Sequence, residues 1–422
     1  MSSTSTLRFA AQTDAMTSLI ATVNLVRRGE ARTKPDIGRI TGLGRGVVAQ
    51  RVDQAIALGY LEESDFGPSS GGRAPRTLRF RAERGCILVL ALGALHLRVG
   101  VTDLDGRILA RAHRAWDISA GPETTIETAL AMFEELLATV PDVPVWGVGV
   151  GIPGPVEFGS GRPVAPPIMP GWNGYDIKQR FVERYGAPVW VDNDVNLLAL
   201  GERSRRRGAG QDDLIYFKVG TGIGAGLLTN GALHRGANGA AGDIGHVRVH
   251  GTDDLCRCGK LGCLEASAGG WALVRDALQA VARGESPALA AILERQGDLS
   301  PIDLAIAAQN GDAISIRLVQ RSARLVGESL ATLVNVFNPS VIVVGGAVTA
   351  SGEIFLAEVR QRVYELSLPL ATRDLLLVRS VNDEDEPLHG GAEMVREELF
   401  DVSFGRWFGE GRPLLESLER AG

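Results

Sequence analysis

Three of the four cysteines in this chain lie within eight consecutive positions. Cys256, Cys258 and Cys263 fall in the segment CRCGKLGCLE, and His246 precedes them. Three thiolates and one imidazole form the soft, tetrahedral donor set of a structural zinc site. We therefore predict a closed zinc site that fixes a loop and does not activate water. The alternative is a buried cluster of reduced thiols, and the lone Cys86 is interpreted as a small core residue.

The zinc loop would hold Glu265, the next charged residue after its last cysteine. A carboxylate and an amide that suit a hydroxylated ligand stand in the segment DNDVN, which contains Asn193 and Asp194 directly after a predicted strand. Such groups can bind the vicinal hydroxyls of a sugar through paired hydrogen bonds. A kinase would use Asp194 as the base beside the attacking hydroxyl. The alternative, compatible with sugar binding, is that these residues cap the helix that starts near Val195.

The body that carries these groups alternates predicted strands with predicted helices, which indicates an α/β fold for residues 86–400. Two glycine-rich strand-turn-strand openings occur in it, CILVLALGALHLRVGV and DLIYFKVGTGIGAGLLTNG. This repetition predicts a duplicated, two-lobed body with a cleft between lobes at roughly 86–205 and 206–400. Residues 401–422 are left as a C-terminal tail without an informative pattern.

The first 85 residues differ from the rest of the chain in charge. They contain 13 basic and 8 acidic residues, a net charge of +5, whereas the remainder contains 31 and 42, a net charge of −11. A basic module attached to an acidic body indicates a polyanionic partner for the module alone.

The pattern within this module is that of a winged helix-turn-helix. Apolar residues recur at helical spacing over 15–28, 35–41 and 45–58, and a Gly-Leu-Gly turn separates the last two helices. Two short strands follow, with the glycine-rich basic segment GPSSGGRAPR between them as the wing. The alternative is a helical dimerisation hairpin, which would not need such a wing.

The third helix of such a module enters the major groove with its N-terminal residues at the base edges. Arg45, Gln50 and Arg51 are its exposed polar candidates, and Arg and Gln can both make bidentate contacts with a base. Arg73 and Arg76 in the wing could contact phosphates or the minor groove. We therefore predict operator DNA as a partner, bound by a dimer at a palindromic site.

Several motifs occur in an order that resembles the ROK family of repressors, open reading frames and sugar kinases. They are GTGIGAGLLTNGALHRGANGAAGDIGH followed by CRCGKLGCLE, the wing segment GGRAPRTLRF, and PGPV and APPIMPGW in the first lobe. The resemblance covers roughly residues 15–398. It implies a winged helix-turn-helix before an actin-like, hexokinase-like (ribonuclease H-like) body that binds a sugar in its cleft.

The resemblance also implies roles for individual residues. Asn193 and Asp194 match the family's sugar-contacting Asn and catalytic Asp, and Glu265 matches the acidic residue after the last cysteine. His246 matches a residue that binds zinc through one nitrogen and a sugar hydroxyl through the other. Asp243 stands where the sugar kinases usually have Glu, so its shorter side chain could leave a gap, admit water or change the sugar preference.

Kinases of this family carry an Asp-x-Gly-x-Thr motif in the first hairpin, where Asp serves magnesium and the turn holds ATP phosphates. The equivalent stretch here is ALGAL, in which Ala91 replaces the Asp, Leu95 replaces the Thr and Gly93 remains. Phosphoryl transfer depends on positioning and charge compensation, which alanine and leucine do not supply. The loop GTGIGAG and the pair Gly345–Gly346 match the nucleotide side, but turns alone can require glycines. We therefore expect no catalysis.

These expectations combine into a sugar-responsive transcription regulator, most simply a repressor, that forms a homodimer or homotetramer. The rivals are an active or bifunctional ATP-dependent sugar kinase, and a zinc-dependent interaction protein that needs no small ligand. The chain starts without a signal-peptide pattern, and its longest apolar run, Ile87–Leu97, is about half a membrane span. We therefore expect a cytoplasmic protein with no membrane partner.

Overall fold

The N-terminal module consists of three helices and a two-stranded wing in the computed structural model. The structure describes residues 3–66, 76–381 and 384–419, so the predicted DNA contact Arg73 lies outside the described residues. The elements of the module are α1 (Ser3–Arg27), α2 (Lys34–Thr41), α3 (Arg45–Ala57), β1 (Leu61–Phe66) and β2 (Arg76–Phe80).

The helices of the module enclose a small apolar core. Val23, Ile37 and Val52, one from each helix, are fully buried. Thr33 caps α2 by accepting a hydrogen bond from the backbone N–H of Asp36. Gly42 ends α2 with a φ of 71°, the left-handed conformation that glycine adopts without strain. Antiparallel pairing of β1 with β2 completes the wing.

The first lobe is built on a five-stranded sheet. Its elements are β3 (Cys86–Leu92), β4 (His96–Asp103), β5 (Ile108–Ala115), α4 (Pro122–Leu137), β6 (Val145–Ile152), β7 (Val156–Glu157), β8 (Arg162–Pro163), α5 (Ile177–Tyr185), β9 (Val189–Asn193) and α6 (Asp194–Arg205). The strand order is β5-β4-β3-β6-β9, with an antiparallel meander extended by two parallel strands. β3 is buried along its whole length, which explains its unbroken apolar sequence.

The second lobe repeats this arrangement. Its sheet contains β10 (Leu214–Val219), β11 (Ile223–Thr229), β12 (Ala232–Leu233), β13 (Val341–Gly345) and β14 (Leu376–Arg379). The strand order is β12-β11-β10-β13-β14, again a meander followed by two parallel strands. The prediction of a duplicated, two-lobed α/β body is therefore confirmed.

Helices cover the second sheet. They are α7 (Leu264–Ala268), α8 (Gly270–Ala282), α9 (Pro287–Gln296), α10 (Pro301–Gln309), α11 (Ala313–Phe337), α12 (Glu353–Leu366) and α13 (Pro369–Thr372). α11 buries one apolar stripe, including Val326 and Leu330, in the same core as Phe217 and Ile342 of the sheet. Among the described residues, no helix is both long and apolar enough to span a membrane.

The C-terminal segment returns to the first lobe. α14 (Glu386–Glu397) follows the last strand of the second sheet, yet it packs against α6, β3 and β6. The two backbones approach so closely that a Cβ at Gly149 would lie only 2.8 Å from the carbonyl oxygen of Gly391. This segment, predicted as part of the second lobe, therefore bridges the two lobes.

The predicted tail also has structure. A π-helical turn at Glu398–Val402 continues α14, and α15 (Phe404–Trp407) and α16 (Leu415–Glu419) follow. Phe404 and Trp407 are almost fully buried. Because they share a hydrophobic cluster with residues of the module and the first lobe, the tail holds these two parts together.

Candidate functional site

The four predicted metal ligands converge in the second lobe. The donor atoms of His246, Cys256, Cys258 and Cys263 all lie within 4.8 Å of one another. Cys258 Sγ lies 3.7 Å from Cys263 Sγ, and Cys256 Sγ lies 3.6 Å from His246 Nδ1. A zinc ion with bonds of about 2.3 Å to sulfur and about 2.0 Å to nitrogen has tetrahedral edges of about 3.5–3.8 Å. The donor set and its spacing therefore fit a structural zinc ion.

Backbone contacts shape the loop that carries these ligands. Isolated bridges join Leu255 to Leu261 and Arg248 to Cys263. Cys263 is also the residue that precedes α7, so the loop leads directly into the helix that carries Glu265. The position of this carboxylate is therefore tied to the geometry of the cysteine cluster.

A cavity of about 560 Å³ lies between the lobes, next to the metal ligands. This volume is in the range of small-molecule sites, about 300–1,000 Å³. The nitrogen of His246 that faces Cys256 is Nδ1, which leaves Nε2 as the nitrogen available to the cavity. The five predicted sugar-contacting residues all line it: Asn193, Asp194, Asp243, His246 and Glu265.

Asn193 and Asp194 stand where β9 meets α6. The Oδ1 atom of Asn193 accepts a hydrogen bond from the N–H of Val195 at 2.9 Å, and its Nδ2 donates to the carbonyl oxygen of Gly154 at 2.9 Å. Asp194 Oδ2 accepts a hydrogen bond from Lys218 Nζ at 2.5 Å. The capping contact considered from the sequence is therefore present, and an ion pair holds the carboxylate that a kinase would use as base.

The carboxylate of Glu265 connects the cysteine loop to the turn of the second hairpin. Its Oε2 atom accepts a hydrogen bond from the N–H of Ile223 at 2.9 Å, and its Oε1 accepts one from Trp271 Nε1 at 3.3 Å. Each oxygen keeps a second lone pair for a ligand. Asp243, at the start of a short 3₁₀ turn, lines the same cavity, and its side chain does not cap that turn.

The first-lobe turn carries apolar side chains at the two positions that the sequence analysis compares with the kinase motif. Ala91 is buried, and Leu95 directs a side chain that is 61% exposed toward the opening of the cleft. The imidazole of His96 packs so closely on Gly93 that a Cβ there would collide with the ring. The surface of this glycine turn is therefore covered by a side chain of the protein itself.

Four basic side chains of the cleft were not singled out from the sequence: His96, Arg98, Lys218 and Arg257. Arg98 is the cross-strand neighbour of Ala91, a relation that only the register of β3 and β4 reveals. Burial, with the positive charges of Arg98 and Lys218, lowers the pKa of His96 to about 3. Lys218 could have been recognised from the sequence, because it is one of only four lysines and comes two residues before Gly220 in the glycine-rich turn.

The predicted DNA contacts on α3 differ in their freedom. Arg45 and Gln50 are exposed on the helix surface. The guanidinium of Arg51, in contrast, donates to Ser18 Oγ at 2.8 Å and to Gln54 Oε1 at 2.9 Å. Arg51 would have to leave these partners to contact a base, so Arg45 and Gln50 are better placed for that role.

In the described part of the wing, the basic side chains have acidic partners. Arg76 lies 2.8 Å from a carboxylate oxygen of Glu63, and Arg79 lies 2.7 Å from one of Glu62. Exposed ion pairs of this kind contribute little stability. A DNA phosphate could therefore replace either carboxylate at small cost.

An aromatic cluster joins the module to the body. Tyr60 from the module lies 5.2 Å from Phe404 between ring centroids, and Trp146 from the first lobe lies 5.5 Å from Trp407. Phe400 touches both tail residues, at 5.4 Å from Phe404 and 5.8 Å from Trp407. Edge-on packing of this type adds to the stabilisation from buried area.

Polar contacts reinforce this junction. Arg27 and Arg28, at the end of α1, both lie 2.8 Å from a carboxylate oxygen of Asp401. Asn24 Nδ2 donates to the carbonyl oxygen of Phe400 at 2.9 Å. Burial lowers the pKa of Arg27 to about 10, so it remains charged at neutral pH. Because α14 begins at the cleft with Glu386 and leads into this junction, one continuous segment connects the cavity with the module.

Comparison with known proteins identifies relatives that cover most of the chain. The sequence model of the ROK family matches residues 87–398. A xylose repressor from Caldicellulosiruptor bescii is 30% identical over 339 residues, which cover 80% of this chain and 84% of that protein.

Two solved structures share the fold. A ROK family transcriptional regulator, a homologue of the E. coli MLC protein, has a TM-score of 0.77 and 23% identity, covering 92% of this chain and 97% of that chain. A ROK family glucokinase from Streptomyces griseus, in complex with glucose and AMPPNP, has a TM-score of 0.63 and 31% identity, covering 74% and 100%. Because residues after 86 could not supply 92% of the chain, the match with the regulator includes part of the module.

Proposed function

The chain belongs to the ROK family, and we propose that it is a sugar-responsive transcription regulator, most simply a repressor. Residues 1–85 would bind operator DNA, residues 86–400 would bind the sugar, and residues 401–422 would contribute the docking segment between them. A relative named xylose repressor, matched over 84% of its length, supports this assignment. The protein would act as a homodimer or homotetramer on a palindromic operator.

The observation that carries the proposal is a first hairpin without a metal-binding carboxylate, beside a cavity suited to a sugar. Ala91 cannot orient a metal-bound water, and His96 covers the glycine turn. Asn193, Asp194, Asp243, His246 and Glu265 nevertheless line a shared cavity. Binding without phosphoryl transfer is what an effector site needs.

We assign a structural zinc ion to His246, Cys256, Cys258 and Cys263, whose donor atoms all lie within 4.8 Å of one another. Four protein ligands leave no open position, so the ion would fix the loop. The loop in turn holds Glu265 against the second hairpin. Removing zinc would therefore weaken sugar binding through the position of this carboxylate.

Communication between the cavity and the DNA-binding module would use α14 and the tail. A change in the angle between the lobes displaces α14, which packs on the first lobe and follows the second. Its far end holds the module through Phe400 and Asp401. The sugar must bind the two arrangements with unequal affinity for this coupling to work.

The test is DNA protection across genomic fragments near the protein's own gene, with and without a panel of sugars. We expect a symmetric protected site that one sugar releases or strengthens. An Arg45→Ala variant should weaken this protection, with Arg114→Ala on the body as the matched control. Failure of the wild-type protein to protect any fragment at low salt would contradict the proposal.

The second candidate is an ATP-dependent sugar kinase, favoured by the likeness to a glucokinase and by the glycine-rich turn GTGIGAG. The ion pair between Lys218 and Asp194 opposes it, because a base must be free to accept the proton of the attacking hydroxyl. A coupled ATP assay over a panel of hexoses and pentoses separates the candidates. Steady turnover that Asp194→Asn abolishes would establish the kinase.

A further inference from the structure

The first hairpin, which forms one wall of the cleft, carries a positive charge. A neutral sugar, which offers only hydroxyl groups, does not need such a charge for binding. Arg98 extends from β4 to line the cavity beside Ala91. Its Nε atom is buried and has no hydrogen-bond partner in the part of the chain that the structure describes. The exposed Glu384 acts on it through its charge, but no carboxylate of the described residues pairs with it within 4.0 Å.

Lys218, near the end of β10 in the second hairpin, lines the same cavity. Its ammonium group has three N–H donors, and the structure assigns one of them to Asp194. The positive charges of Arg98 and Lys218 both reach His96, where they add to the effect of burial in lowering the pKa of the imidazole. His96 is therefore neutral at pH 7 and can offer a hydrogen bond without a counter-charge.

This arrangement is incomplete as a purely structural feature. A guanidinium that is partly removed from water without a paired anion is unfavourable, and structural arginines normally have carboxylate partners. Elsewhere in this chain Arg27, Arg203 and Arg396 are all paired with carboxylates. Arg98 differs from these residues in two ways: it has no carboxylate partner among the described residues, and it faces a cavity.

We propose that the effector is an acidic sugar, one that carries a phosphate or carboxylate group, and that this group binds between Arg98 and Lys218. The inference rests on the proposed function of the cleft as a sugar site. Asp194 joins the two halves of the ligand site, because it contacts Lys218 and lines the cavity with Asn193. Charge-assisted hydrogen bonds from a guanidinium and an ammonium are the strongest contacts available there.

The experiment is calorimetric titration of the full-length, zinc-loaded protein with matched sugars. Each series contains a neutral sugar, its terminal phosphate and its terminal carboxylate, built on glucose, N-acetylglucosamine and xylose. Inorganic phosphate and ATP serve as anions without the sugar contacts. We expect one series in which an acidic member binds roughly ten-fold or more tightly than the neutral sugar, with an affinity that falls as salt rises.

Variants connect this preference with the residues. Arg98→Gln should remove it, leaving the acidic member about as weak as the neutral sugar, and Arg98→Lys should retain most of it. Arg114→Gln, an exposed change on neighbouring β5, should leave every affinity unchanged. Thermal unfolding with the neutral sugar shows whether Arg98→Gln still folds, and the Arg98→Lys result remains informative if it does not.

Several outcomes would overturn the inference. They are equal or tighter binding by neutral sugars, undiminished acidic-sugar affinity in Arg98→Gln, tighter binding of ATP or inorganic phosphate than of any acidic sugar, and no acidic-sugar binding at millimolar concentration. A neutral sugar that binds and releases operator DNA would reject this inference and leave the regulator proposal intact. An acidic sugar that binds without changing DNA protection would support this inference and contradict the regulator proposal.

Discussion

The two hairpins that open the two lobes occupy equivalent places in sheets of the same strand order, but they differ in residue type. The first turn contains Ala91, Leu95 and one glycine, covered by His96. The second turn, GTGIGAG, is rich in glycine, and a Cβ at Gly222 would collide with the buried carboxylate of Glu265. Packing alone therefore requires a glycine in the second turn. The comparison teaches that a glycine in such a turn can be required by close packing alone. The side chains beside the glycine, and not the glycine itself, indicate whether the turn can bind a ligand.

The largest effect should come from removing one predicted zinc ligand of the loop that supports the second hairpin. Cys258→Ser should abolish binding of one zinc ion per chain and lower the free energy of unfolding by more than about 4 kcal/mol, as expected for loss of a structural metal. Zinc content by atomic emission and denaturant unfolding measure the two quantities. Cys86→Ala, at the lone core cysteine, is the control and should keep its zinc. Full zinc content in Cys258→Ser would contradict the assignment.

A smaller effect should follow from adding one methyl group to the second turn. Gly222→Ala places a Cβ against Glu265, whose oxygens are held by Ile223 and Trp271, so the site must shift. We expect a loss of about 1–3 kcal/mol in the free energy of unfolding. Gly159→Ala, where a Cβ meets nothing within 4 Å, is the matched control. Equal stability of the two variants would show that packing does not require this glycine.

The pH dependence of the free energy of unfolding should reveal the titration of Glu386, the first residue of α14. Burial and the neighbouring carboxyl of Glu202 raise the pKa of Glu386 to about 8. The folded protein then holds a proton that the unfolded chain has released, so stability falls as pH rises through this pKa. Between pH 7 and 8 the wild type should lose about 1 kcal/mol more than Glu386→Gln. Parallel pH profiles from denaturant titrations would contradict the raised pKa.

The smallest effect should be found at the first turn. Leu95 is largely exposed, so Leu95→Ser should change the free energy of unfolding by less than about 0.5 kcal/mol. It should also leave sugar affinity unchanged, because the proposed sugar contacts come from other residues. Calorimetry and thermal unfolding provide these values. A marked loss of either would mean that Leu95 has a structural role the hairpin comparison does not assign to it.

The sequence was sufficient for features carried by local pattern. The apolar run of β3, the helical periodicity of α11, the duplicated glycine turns and the clustering of Cys256, Cys258 and Cys263 were all visible in it. These features depend on neighbours that are close along the chain, or on a repeated motif, so spacing alone could predict them.

Features that depend on distant partners were not accessible in this way. Phe404 and Trp407 belong to a segment without a periodic pattern, and their partners Tyr60 and Trp146 lie hundreds of residues away. Arg98 becomes notable only when the register of two strands places it beside Ala91. The engagement of Arg51 by Ser18 likewise requires the packing of α1 against α3.

The most direct test of the account is the affinity of the full-length protein for its operator, measured by fluorescence anisotropy with and without saturating effector. We predict a change in the dissociation constant of at least about five-fold, the lower end of typical allosteric coupling. The operator should in turn change the affinity for the effector by the same factor. Identical operator affinity in both conditions, with calorimetry showing that the effector is bound, would contradict the proposal that this cleft regulates DNA binding.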